Sequence, residues 1–131
     1  MKIFLSYAHE DKDWAMEVGA QLKKAGLGVW DPEYELGPGD NWALETGKAL
    51  ASARAMIVLV SPAGAESKVL QRDVEYALGS EKFRDKLIPV IVRPTGKMPW
   101  ILGRLKPLKG TPREVSKEIV QRLKASSASV R

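Results

Sequence analysis

The chain contains no cysteine and one histidine, His9. Disulfides and thiolate metal sites are therefore excluded, and a His/Cys metal cluster cannot be assembled. Long apolar runs are also missing: a bilayer crossing takes about 20 residues, far more than any uninterrupted apolar stretch here supplies. The amino terminus, MKIFLSYAHEDKDW, turns acidic after nine residues and has no apolar signal region ending in small side chains. These absences lead to the expectation of a soluble, cytoplasmic protein with no membrane partner and no metal. Aromatic residues make up 7% of the chain. Beyond Trp100 none falls among the basic side chains of the last third, so a stacking platform for single-stranded nucleic acid is not supported.

What is present suits one domain with one substantial core: 131 residues, 44% of them apolar. The net charge of +5 is unevenly placed, with residues 97–131 carrying 9 basic and 2 acidic side chains. A basic third of this kind is a nucleic-acid or membrane-surface footprint or, more plainly, a solvated helix face plus tail.

The chain is organised around Ala55–Leu78. Ala55-Met56-Ile57-Val58-Leu59-Val60 is apolar without alternation, the pattern of a parallel strand covered on both faces. Ser61-Pro62-Ala63-Gly64 breaks it, and a helix is predicted from about Ser67 to Leu78. Val69, Asp73 and Ala77 share a helical face there, with Val74 and Leu78 beside it. Asp73 thus stands about one turn above a loop at the carboxyl end of a buried strand, the place where ligands bind in open parallel sheets.

Before that stretch, Lys2–Tyr7 reads as a strand, Asp11 and Asp13 as a helix start, and Trp14, Val18, Leu22 and Ala25 as an inward stripe. Gly26 ends that helix, and Leu27–Trp30 is a second short strand. The segment Asp31-Pro32-Glu33-Tyr34-Glu35-Leu36-Gly37-Pro38-Gly39-Asp40 has the proline, glycine and carboxylate content of a loop. A helix over about 41–52 follows, with Leu44, Gly47, Leu50 and Ala51 inward. After the central stretch come a fourth strand, Leu87–Val92, and a short fifth, Leu105–Leu108. Pro89 is expected near the start of the fourth strand, where pairing is incomplete. Thr111-Pro112-Arg113-Glu114 is a capping box for a last helix with Val115, Ile119, Val120 and Leu123 inward. Five strands alternating with helices predict an α/β, flavodoxin-like, doubly wound five-stranded parallel sheet in the order 2-1-3-4-5. One domain over residues 1–125 and a flexible tail over 126–131 complete the expectation.

In order and spacing, IFLSYAHED, GVWDPEYELGPGD, IVLVSP, SKVLQRDVEYAL and LIPVIV resemble the Toll/interleukin receptor (TIR) domain family, bacterial type, over about residues 2–92. The resemblance implies self-association, or recruitment of other TIR domains, through the long loop Asp31–Asp40. It also implies cleavage or cyclisation of NAD+ with release of nicotinamide. NAD+ would be the substrate, with no separate cofactor. The family's catalytic helix carries Trp-x-x-x-Glu; the matching positions here are Val69 and Asp73, so the catalytic carboxylate would be Asp73. Ser6, Tyr7, His9, Trp30, Asp31, Trp42 and Val69 are the implied substrate-binding residues.

The residues alone leave alternatives open. Asp73 is also placed to pair with Lys68 or Arg72. Glu75, two residues along, points about 200° away around the helix, and Glu66 and Glu45 lack the family register. A phosphoacceptor receiver domain needs an aspartate at the end of the third strand, where this chain has Val60-Ser61-Pro62. A nucleoside deoxyribosyltransferase shares the topology and a carboxylate chemistry, but the long second loop favours the TIR family.

Overall fold

The computed structural model describes residues 2–97 and 99–129, with side chains to residue 125. Four parallel strands form the sheet: β1 (Lys2–Ser6), β2 (Gly28–Trp30), β3 (Ala55–Val60) and β4 (Leu87–Ile91), in the order β2-β1-β3-β4. The helices are α1 (Lys12–Lys24), α2 (Pro32–Glu35), α3 (Trp42–Ser52), α4 (Pro62–Glu66), α5 (Lys68–Leu78), α6 (Trp100–Gly103) and α7 (Pro112–Ser129). The tail expected over 126–131 is backbone of α7 as far as Ser129, and residues 130–131 lie outside the described residues.

The unbroken apolar run does what its pattern predicts: all six residues of β3 are buried. Period-two alternation then sorts the sheet into two cores. Ile3, Leu5, Val29, Ile57, Leu59, Ile88 and Val90 face α1 and α7. Phe4, Trp30, Met56, Val58, Val60 and Leu87 face α3 and α5.

The sheet has four strands among the described residues, not five. The expected fifth is reduced to one parallel bridge, Val90 to Leu108. Lys106, at φ 55°, cannot be extended backbone, and Pro107 has no N–H to offer. Pro89 sits mid-strand in β4, paired with Val58, rather than at its start. It is tolerated because its carbonyl, and hence its missing N–H, faces the outer edge, where Leu108 donates to that carbonyl at 2.9 Å. No inner ladder bond is lost.

Two helix faces also differ from expectation. On α3 only the last turn reaches the core, through Ala49 and Leu50, while Leu44, Gly47 and Ala51 are exposed. On α5 the buried stripe is Leu70, Asp73, Val74 and Ala77, spaced i, i+3, i+4, i+7; Val69 and Leu78 lie outside it. Trp14 is partly buried against the core, whereas Trp100 is exposed, with Arg104 over its ring.

The capping box forms as written. Glu114 N–H donates to Thr111 Oγ1 at 3.2 Å, and Thr111 N–H donates to Glu114 Oε1 at 3.0 Å. The Thr111 N–H, followed by the Thr111 side chain, holds the Glu114 carboxyl below its usual range. Thr111→Ala is predicted to destabilise the fold by about 1 kcal/mol and Thr111→Ser to leave it nearly unchanged, as read by urea unfolding; equal losses in both would contradict the cap.

Candidate functional site

The loops at the carboxyl ends of β1, β2 and β3 hold the polar groups, and the alternation of β1 decides which group meets which. Ser6, like Phe4, faces α3 and α5; Tyr7 turns to the opposite core. On the first face Ser6 Oγ donates to Asp73 Oδ2 at 3.1 Å. Both residues are buried, Asp73 at 7% exposure. A carboxylate in such surroundings loses hydration that one hydroxyl does not replace. Burial therefore pushes its pKa up to about 6, against the lowering effect of the Ser6 bond. Asp73 makes no salt bridge among the described residues, so the alternative of pairing with Lys68 or Arg72 is not realised.

On the other face the Tyr7 hydroxyl donates to Asp31 and lies 3.5 Å from Glu33 Oε2, while His9 Nδ1 contacts Glu33 Oε1. Burial, the Asp31 hydrogen bond and both carboxylates keep the Tyr7 phenol protonated well above its ordinary range. Asp31 also accepts from Glu33 N–H at 3.0 Å and so caps α2. The segment expected to be loop therefore begins with a helical turn, tied to the first strand's end by two side chains. Tyr7, Asp31, Glu33 and Tyr34 line a cavity of about 410 Å³ against α1, away from Asp73.

The remaining expected residues are dispersed. Trp30 is buried and stacks on Phe4, with ring centroids 4.9 Å apart, as part of the core. Trp42 is 50% exposed, and its indole N–H donates to the Gly37 carbonyl at 3.1 Å. Gly37 N–H in turn donates to Asp40 Oδ2 at 2.7 Å, closing the turn that contains Pro38 and Gly39. Val69 is 65% exposed, one turn before Asp73 on α5. Of the candidate set, only Ser6 bonds the Asp73 side chain among the described residues. A cavity of about 280 Å³ on another flank of α5, lined by Leu70, Val74, Leu102 and Lys97, does not include Asp73 either.

Sequence reasoning missed a second buried pair. Asp11, read as a helix start, accepts from the Ser61 hydroxyl instead of capping α1, and Ser61 accepts from Gly64 N–H at 2.9 Å. Ser61-Pro62 is a legible helix start, but nothing local announces a contact across 50 residues. The pair joins the first and third loops behind the Ser6–Asp73 contact. Among the described residues no group of three His, Cys, Asp or Glu is placed to hold a metal, and no helix is long and apolar enough to cross a membrane.

The parallel sheet in the order β2-β1-β3-β4, flanked by helices, is a flavodoxin-like α/β arrangement. The family model described as TIR domain matches residues 3–127, and the chain belongs to that family. It is 32% identical over 87 residues to NAD(+) hydrolase TcpA of Theionarchaea archaeon (strain DG-70-1), covering 66% of this chain and 26% of that protein. It is 31% identical over 90 residues to NAD(+) hydrolase PdTIR of Paracoccus denitrificans (strain Pd 1222), covering 67% and 30%. The chain thus matches less than a third of the length of either relative. Among solved structures, the TIR domain of the Toll-related receptor TRR-2 from Hydra magnipapillata superposes with a TM-score of 0.76 at 21% identity, covering 95% of each chain, a likeness of fold.

The raised pKa has a consequence for stability. Between the ordinary aspartate value of about 3.9 and the native value of about 6, the native state keeps a proton that the unfolded state releases. This group's contribution to stability is full below pH 4 and is lost as pH rises through 6. Asp73→Asn is predicted to remove that dependence and to stabilise the fold at pH 7 by up to about 3 kcal/mol, measured by urea unfolding across pH 4–8. An unchanged pH profile would contradict the burial of an ionisable group there.

Proposed function

We propose that this TIR domain cleaves the nicotinamide–ribose bond of NAD+, releasing nicotinamide by hydrolysis or cyclisation, with Asp73 as the catalytic carboxylate. The observation that carries the proposal is a buried carboxyl at the carboxyl edge of the central strands, bonded by Ser6 and without a salt bridge among the described residues, in a chain whose relatives are named NAD(+) hydrolases. Breaking the glycosidic C–N bond develops positive charge on the ribose, and a desolvated carboxylate is the group that stabilises or traps it. Loss of hydration strengthens its interaction with that charge. Ser6 orients the carboxyl and withdraws part of its charge through one hydrogen bond.

Aspartate reaches about 1.5 Å less far than glutamate, one carbon–carbon bond. A misplacement of about 1 Å costs on the order of 100-fold in rate, so a slow enzyme is expected. Asp73 is also shielded in the single chain, so activity is expected to await self-association, which the Asp31–Asp40 segment would mediate. Activity is then expected to rise more steeply than linearly with protein concentration.

A second reading is an assembly module without catalysis, which recruits other TIR domains. The shielding of Asp73 favours it, as do the exposed Tyr34, Trp42 and Leu44 in and beside the long loop. Nicotinamide release from NAD+ by concentrated protein separates the two. Wild type should exceed Asp73→Ala, its rate should rise with pH through about 6 as the carboxyl ionises, and Asp73→Glu should gain up to about 100-fold. Release no greater than that of Asp73→Ala would leave the assembly module.

A further inference from the structure

The cavity on the far flank of α5 takes no part in the chemistry proposed above. It measures about 280 Å³ and is walled by Val60 at the end of β3, by Leu70 and Val74 of α5 and by Leu102 of α6. All four side chains are buried. Aliphatic walls of this kind favour an apolar occupant over water. The volume lies just under the ~300–1,000 Å³ of pockets for drug-sized ligands, which points to a small one.

The cavity is a groove with a polar end and an apolar end. From Leu70 to Leu78 its lining follows α5 for about 12 Å, at about 1.5 Å per residue. Its polar groups gather beside the end of α4: Lys97 Nζ donates to Glu66 Oε1 at 2.7 Å, and Gln71 Nε2 donates to the Ala65 carbonyl at 2.9 Å. The Lys97–Glu66 pair is exposed on both sides, and exposed pairs of this kind exchange readily. It shows that a carboxylate reaches Lys97 at this mouth. Glu75, one turn beyond Gln71, is exposed and has no cation within 4.0 Å among the described residues. Leu78, 45% exposed, closes the apolar end.

We infer that this groove binds a medium-chain carboxylic acid, its carboxylate on Lys97 and its acyl chain along Leu70, Val74 and Leu102 toward Leu78. The acid takes the place that Glu66 holds on Lys97. Repulsion from Glu75 keeps the head at the Lys97 end, so attraction and repulsion set the same orientation. An extended chain of about eight to ten carbons, a zigzag of bonds of about 1.5 Å, matches the length of the groove. Asp73 is not part of the lining, so the inference does not depend on the NAD+ reading. Leu70 and Val74 nevertheless share the buried stripe of α5 with Asp73. An acid seated here bears on the helix that carries the candidate catalytic group.

Isothermal titration calorimetry with sodium hexanoate, octanoate and decanoate, each below its micelle concentration, tests the site. Affinity should rise about four-fold per added methylene and level off once the chain outgrows the groove. Lys97→Gln should weaken octanoate about ten-fold while leaving octanol unchanged. Leu78→Asp should weaken decanoate more than hexanoate. Both side chains are exposed, so neither change threatens the fold. Octanoate should also move the methyl NMR resonances of Leu70, Val74 and Leu102, and not those of Val18 and Leu22 in the opposite core. Octylamine binding more tightly than octanoate, or octanoate binding equally well to Lys97→Gln, would overturn the choice of an acid. Displacement of octanoate by NAD+ would overturn a separate site and give the groove to the substrate. Wild-type assemblies that Leu78→Asp dissolves, with no heat from any of the acids, would assign the groove to a second copy instead.

Discussion

The hydrogen bond from Ser6 to Asp73 joins the end of β1 to the middle of α5, and the candidate chemistry depends on it. It forms because β1 turns every second residue toward α5, and because Asp73 falls on the buried stripe of that helix beside Leu70, Val74 and Ala77. An apolar residue would fill that position at no electrostatic cost. A carboxyl there is costly to ionise, so its presence is paid for elsewhere in the core. Local rules broken inside an otherwise consistent fold are where function is sought.

Much of the fold was legible. The apolar run of β3, the Thr111 capping box and the strand–helix alternation each act through local physics, and each appears as read. The fifth strand did not, because Lys106 and Pro107 spoil the backbone on which it would be built. The core face of α3 was misjudged for a different reason. Leu44 and Gly47 match a helical stripe, but both are exposed and only the last turn of the helix packs against the sheet. Periodicity shows which side of a helix is apolar, not how much of its length finds a partner.

The site was less legible than the fold. Asp73 was found through its place after the central strand and through family register. The neighbours proposed for it were chosen by loop, and loop membership ignores the alternation that sends Ser6 and Tyr7 to opposite faces. Trp30 follows the same alternation into the core beneath Ser6. The Asp11–Ser61 pair and the ties from Tyr7 and His9 to the acidic segment span 24 to 50 residues. Contacts of that separation leave no mark in a local pattern. Together they give the molecule two distinct regions: a shielded carboxyl on α5, and a braced acidic segment facing α1.

The central claim is that Asp73 holds a desolvated carboxyl within reach of NAD+. The most direct measurement is a carbon-13 NMR titration of that carboxyl in the self-associated protein, with and without NAD+. A midpoint near 6 that moves when NAD+ is added is the predicted result. A midpoint near the ordinary aspartate value of about 3.9, indifferent to NAD+, would contradict both the burial and the contact.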